Sequence, residues 1–131
     1  MTPLTVGLTG TAEIDVTPEV TASAVGSGLV PVFATPRLVA LVEMAAVHAL
    51  DGHLADGDTT VGTRIELSHL AATPVGMHVR AEAALERVEG RLLTFRVAAW
   101  DSREKIGEGL HVRAVVARER FLAKVAAKQA G

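Results

Sequence analysis

Along most of the chain, apolar and polar residues alternate with the period of two expected of a strand with one buried face. From Leu4 to Val16, Ala12, Ile14 and Val16 alternate with Glu13 and Asp15, which predicts a first strand. Pro18 and then Gly26-Ser27-Gly28 interrupt it, so Thr17 to Val32 reads as a short helical turn plus a flexible connection of the kind that forms a lid. Thr59 to Leu70 returns to period two, with Ile65, Leu67 and His69 on a face predicted to point inward and Arg64, Glu66 and Ser68 on the other. Beyond the turn Thr73-Pro74-Val75-Gly76 come three extended segments, Met77 to Val88, Arg91 to Trp100 and Lys105 to Ala117. Glu89-Gly90 and Asp101 to Glu104 join them into an antiparallel meander. Arg118 to Lys128 has helical composition and a basic end, and is read as a terminal helix.

One run breaks the alternation: Leu38-Val39-Ala40-Leu41-Val42-Glu43-Met44-Ala45-Ala46-Val47 is apolar on nearly every side. Thr35-Pro36 offers a helix start, with Thr35 as N-cap and Pro36 at the first helical position, and Asp51-Gly52 offers the stop. The predicted helix runs from Pro36 to about Leu50 and is largely enclosed. Glu43 is the only charged residue between Arg37 and Asp51. A carboxylate so placed is costly unless it is paired, hydrogen-bonded or used in chemistry. One helix against one strongly curved antiparallel sheet is the α+β arrangement these pieces allow most economically. Strands this long outreach a single helix, which predicts a symmetric dimer that extends the sheet or shares the helix surface.

Composition narrows the chemistry. The 131 residues fit one domain, 1–131. Hydrophobic residues make up 49% and aromatics 3%, so the core must be built from small and β-branched side chains. The net charge of -2 and the dispersed basic residues exclude an electrostatic footprint for nucleic acid or an anionic membrane. Without Cys there are no disulfides, thiolate metal sites or cysteine nucleophile, which leaves oxygen and imidazole. Met1-Thr2-Pro3-Leu4-Thr5 does not read as a signal peptide, and the apolar run of about 15 residues is shorter than the ~20 of a membrane span. The expectation is a soluble cytoplasmic protein. His48 and His53 straddle a helix end, and His78 and His111 lie on strands with no neighbouring carboxylate in view, a pattern that points away from a metal site. No phosphate loop, GxSxG elbow or dinucleotide fingerprint is present.

Several stretches together carry a resemblance. Val32-Phe33-Ala34-Thr35 ahead of the helix with Glu43, Gly62-Thr63 leading to Ser68-His69-Leu70-Ala71-Ala72-Thr73-Pro74, Val88-Glu89-Gly90-Arg91, and Gly109 to Arg113 resemble the fluoroacetyl-CoA thioesterase family and its hotdog-fold relatives. The match extends from about Gly28 to Val125. It implies a hotdog fold, a homodimer with sites near the subunit interface, and hydrolysis of an acyl-CoA thioester with no cofactor, coenzyme A being part of the substrate. It places the catalytic roles on Thr35, Glu43 and His69. Gly62, Arg113, Leu29 and Phe33 fall at substrate-binding positions, Leu29 standing where the family has a lid phenylalanine. Pro36 replaces a glycine just after the threonine.

The residues themselves leave alternatives. Glu43 could activate water or attack the thioester to give an anhydride, with His69 transferring the proton. Thr35 is explained by its cap position without catalysis, and eight helical positions, ~12 Å of rise, separate it from Glu43. Either the first turn is irregular or the two act from different subunits. Gly62 marks a bulge or lets a carbonyl approach backbone N–H groups, and the helix N-terminus offers a second oxyanion site. Coenzyme A would meet scattered cations such as Arg113, Arg118 or Lys124. The rival reading is a non-catalytic acyl-CoA or small-acid binding protein on the same fold.

Overall fold

The computed structural model describes residues 4–130; Met1-Thr2-Pro3, the start of the segment read for a signal peptide, and Gly131 lie outside them. The elements are β1 (Thr9–Asp15), a 3₁₀ turn (Pro18–Val20), α1 (Ala22–Val25), α2 (Thr35–Ala49), β2 (Asp58–His69), β3 (His78–Glu89), β4 (Leu92–Trp100), β5 (Lys105–Ala117) and α3 (Arg118–Ala130). The strands form one antiparallel sheet in the order β1-β3-β4-β5-β2. The three-strand meander thus lies at the centre, and the two strands that flank α2 in sequence become the edges.

Alternation decides what the sheet presents to α2. Along β4, Leu93, Phe95, Val97 and Ala99 are buried while the residues between them are not, and β3 repeats this with Val79, Ala81, Ala83 and Leu85. Against this face α2 sets Leu38, Leu41, Val42, Ala45, Ala46 and Ala49. The small residues matter for distance: a Cβ on Gly10 of β1 would lie 2.2 Å from the Ala45 carbonyl oxygen, so the helix rests directly on the strand backbone there. The expected core of small and β-branched side chains is what permits this approach.

Two expectations about α2 are corrected. Thr35 is not the N-cap: Ala34 holds that position without any side-chain cap, and Thr35 is already helical. The cause lies upstream, where Phe33 N–H donates to the Thr73 carbonyl and Ala34 N–H to the Val20 carbonyl, so the chain enters the helix from an anchored extended segment. Nor is α2 enclosed on most sides. Ala40, Met44 and Val47 are exposed, because a single chain's sheet reaches only one side of the helix. On β2, Ile65 points to the expected face yet is exposed, and so is Leu70, just past the end of the strand.

The connection from Thr17 to Val32 is tied down by bridges between Thr21 and Phe33 and between Val32 and Pro74, and by Ser23 N–H donating to the Val30 carbonyl. His78 also departs from expectation, since both its ring nitrogens meet carboxylates, Asp15 at 2.7 Å and Glu13 at 2.6 Å. Asp15 is its register partner on β1, a cross-strand neighbour that local sequence does not reveal. No helix among the described residues is long and apolar enough to cross a membrane.

Candidate active site

The residues singled out in the sequence fall into two clusters. In the first, the start of α2 and the end of β2 meet: Thr35 Oγ1 lies 2.7 Å from His69 Nδ1. Freed from capping, the threonine hydroxyl is available to orient an imidazole. The pair borders a cleft of about 380 Å³ with Val32, Phe33 and Leu70 on its walls. His69 Nε2 is buried and has no hydrogen-bond partner among the described residues, an arrangement suited to a proton exchanged with a bound molecule. Burial pushes the His69 pKa down, and the backbone at Ala71 offsets part of the effect, so the ring is neutral at neutral pH.

Glu43, Gly62 and Arg113 form the second cluster. Gly62 sits in β2 opposite Arg113 of β5, next to a register shift between Gly62 and Arg64. A Cβ on Gly62 would stand 2.6 Å from Glu43 Oε2, so the missing side chain leaves room for the carboxylate itself. The register shift and this close approach match the bulge that is one of the two readings of Gly62 in the sequence. Arg113 is buried, and its guanidinium donates from Nε to Thr60 Oγ1 (2.9 Å) and from Nη2 to the Thr60 carbonyl (3.1 Å). Its Nη1 lies 3.5 Å from Glu43 Oε2 and 3.1 Å from His111 Nε2.

His111 is the member that sequence reading missed. It is buried, its Nδ1 lies 2.8 Å from the Arg64 carbonyl, and its Nε2 is 3.8 Å from Glu43 Oε2. Since the Arg64 carbonyl only accepts, Nδ1 carries the proton and Nε2 is left to accept from Arg113. Burial, with the Arg113 charge adding to it, holds the His111 pKa down, while the Arg64 carbonyl and Glu43 pull the other way. The only sequence signal was its place two residues before Arg113, on the same strand face. The anticipated Glu43–His69 partnership is replaced: Glu43 pairs with Arg113 and His111, and no hydrogen bond or ion pair joins it to His69.

The histidines provide a direct check on these environments. Titrated by NMR, His69 and His111 should protonate below the ordinary value of 6.5, and His78, whose positive form is favoured first by Asp15 and then by Glu13, above it. A His69 midpoint above the ordinary value would contradict the desolvated ring described here.

The two remaining positions differ in setting. Phe33 is 1% exposed and belongs to the core while bordering the Thr35–His69 cleft, whereas Leu29 is 97% exposed and does not line the cleft, although Gly28 and Val30 on either side of it do. Among the described residues, no three metal-ligating side chains gather.

With this geometry in view, comparison with known proteins is decisive. The sequence profile of the fluoroacetyl-CoA-specific thioesterase matches residues 16–119. The chain belongs to this family. It is 47% identical to the fluoroacetyl-CoA thioesterase of Streptantibioticus cattleyicolor over 97 residues, 74% of this chain and 70% of that protein. A solved structure of the fluoroacetyl-CoA thioesterase, 40% identical, superposes with a TM-score of 0.89 over 95% of this chain and 97% of the other. A thioesterase superfamily member from Thermus thermophilus, 30% identical, gives a TM-score of 0.90 over 98% and 96%. The fold is the hotdog fold of these thioesterases, a curled antiparallel sheet around α2.

Proposed function

We propose that the protein hydrolyses an acyl-CoA thioester to the free acid and CoA, using Glu43 and His69. The observation that carries this reading is the state in which the fold holds the two groups: a carboxylate kept beside a buried arginine in the notch left by Gly62, and a desolvated imidazole oriented by Thr35. Glu43 either takes the proton of the attacking water or attacks the thioester carbonyl to give an anhydride that water then opens. In both routes the C–S bond breaks and the departing thiolate must gain a proton; the neutral ring of His69 is suited to relay it, accepting the proton that the attacking water gives up, directly or by way of Glu43, and passing it to the sulfur. At the start of α2 the Thr35 N–H is the donor left for the oxyanion among the described residues, since Pro36 has no N–H and those of Ala34, Arg37 and Leu38 bond to backbone carbonyls. Coenzyme A enters as part of the substrate, and no other cofactor has a step to perform. With no Cys to form a disulfide, the chain suits the cytoplasm.

We further propose that the complete site lies across a homodimer. The helix is regular from Thr35 onward, so ~12 Å of rise separates Thr35 from Glu43, and roughly 23 Å of strand separates Gly62 from His69. The free edge of β2 and the exposed Ile65, Leu70, Met44 and Val47 are what a second copy would cover. Two-fold antiparallel pairing of the β2 edges about a point between Ile65 and Glu66 would set Gly62 opposite His69 of the partner subunit.

A panel of acyl-CoA esters, short to medium, polar to aryl, fluorinated and not, tests the function. With no Cys in the protein, released thiol is read without background. Hydrolysis of at least one ester, lost in Glu43→Gln, is the expected result. Tight binding of an ester with no turnover of any would replace the hydrolase by a binding protein.

A further inference from the structure

The proposed reaction gives His111 no step, yet its surroundings fix the ring closely. Register places it between Ile65 of β2 and Phe95 of β4, and the Phe95 ring lies 6.5 Å from its own, 29° from parallel. Its Cε1 would stand 3.2 Å from a Cβ on Gly62, so the glycine makes room for the imidazole as well as the carboxylate. With Nδ1 spent on the Arg64 carbonyl at 2.8 Å, Nε2 meets Arg113 Nη1 at 3.1 Å and Glu43 Oε2 at 3.8 Å. Packing does not require that nitrogen. A leucine would fill similar space without the desolvation cost of a buried polar ring.

What Nε2 supplies is a neutral acceptor. Thr60 takes Nε and Nη2 of the guanidinium through its hydroxyl and carbonyl, and His111 takes Nη1, so three uncharged acceptors hold Arg113 without cancelling its charge. That charge is left to act on Glu43, 3.5 Å away. A carboxylate in place of His111 would hold the arginine and neutralise it. A protonated ring does the reverse: two donors face each other, Arg113 loses its Nη1 contact, and the imidazolium turns to Glu43 instead. The groups facing the ring are Arg113 on β5, Glu43 on α2 and the Arg64 carbonyl on β2, the Arg64 side chain being paired with Glu66, while β4 presents Phe95, which does not titrate. Burial keeps the extra proton off at neutral pH. We propose that His111 is a positioning residue for the reaction, a neutral clamp that sets Arg113 against Glu43 and releases it when the ring takes up a proton. This rests on the reading of Glu43 as base or nucleophile. It makes activity on the acid side depend on a residue that takes no part in the bond changes.

The test compares wild type with His111→Gln and His111→Leu between about pH 5 and pH 8. Gln places an uncharged oxygen near the position of Nε2 and does not titrate, whereas Leu offers Arg113 nothing. At neutral pH, Leu should lower kcat roughly tenfold with a smaller change in KM, and Gln should recover most of that loss. On the acid side kcat of wild type should fall, and the midpoint of the fall should move to lower pH in Gln. A fall set by His69, or by Glu43 itself, would survive the substitution, so an acid midpoint in His111→Gln equal to that of wild type overturns the role. A Gln variant no faster than Leu at neutral pH overturns it too. A second readout needs no turnover. The Nε–H signal of Arg113 in the NMR spectrum, protected by its bond to Thr60, should weaken or shift in wild type as His111 protonates and stay in place in Gln over the same range. That contrast supports the clamp even if no ester is hydrolysed, the result that would remove the hydrolase; an Arg113 signal indifferent to His111 protonation overturns the clamp even if turnover is normal.

Discussion

Glu43→Gln lowers kcat/KM by ~10²-fold or more while the fold is retained, the usual scale for a lost acid–base or nucleophilic group. Gln keeps an oxygen that can accept from Arg113 Nη1, now at 3.5 Å from Glu43 Oε2, so the buried guanidinium is not abandoned. What it removes is the negative charge, and with it both routes available to Glu43. Gly62→Ala makes the complementary change, leaving the carboxylate in the chain but moving it, because the new methyl group would sit 2.6 Å from Oε2 and 3.2 Å from His111 Cε1. It should lower kcat more than it raises KM, since the displaced group serves the transition state more than the bound ester. Thermal unfolding of both variants keeps the two effects apart. A Gly62→Ala enzyme with wild-type kcat would show that the close fit between the glycine and the carboxylate has no bearing on the reaction.

His111 extends the same logic. Its Nε2 can accept from Arg113 only while the ring is neutral, and burial favours the neutral ring. The guanidinium is thus held on three sides, by His111 and by the Thr60 hydroxyl and carbonyl, with its fourth contact turned to Glu43. A charge fixed in this way is preorganised and does not have to reorient when the substrate binds.

Much of this was written in the local sequence, and what was not has a common cause. Glu43 stood out because a lone carboxylate in an apolar helical run breaks a periodic pattern, and the meander was legible because Glu89-Gly90 and Asp101 to Glu104 are turns with their own chemistry. In the second turn Asp101 Oδ1 accepts from the backbone N–H groups of Arg103 and Glu104, a local interaction that sequence does encode. Thr35 misled because Thr-Pro is a good cap signal, whereas the cap position is fixed by bonds from Phe33 and Ala34 to residues far away in the chain. Register hid the Glu43–Arg113–His111 cluster. The shift between Gly62 and Arg64 decides which β2 residues face β5, and although Gly62 signals a bulge, nothing in Val61-Gly62-Thr63-Arg64 tells which residues it brings together. The exposed side of α2 was misjudged for a related reason: an apolar face reads the same whether the chain's own sheet or a second copy covers it.

Complementation between two dead enzymes should settle where the site lies. On the proposed dimer, each site takes Thr35 and His69 from one subunit and Glu43, Gly62 and Arg113 from the other. Homodimers of Glu43→Gln lack the carboxylate in both sites, and homodimers of His69→Ala lack the imidazole in both. In a heterodimer, however, the intact His69 of the first variant and the intact Glu43 of the second fall in the same site, so one of the two sites is whole. Mixing the variants under conditions that exchange subunits should therefore raise activity from the ~10²-fold-reduced level of either alone to a substantial fraction of wild type. If Thr35, His69 and Glu43 of one chain served one site, every site in the mixture would lack a residue and activity would stay at the level of the parents. The distances within one chain favour recovery: a regular helix puts ~12 Å between Thr35 and Glu43, and proton transfer needs the reacting groups within hydrogen-bond reach or one water apart.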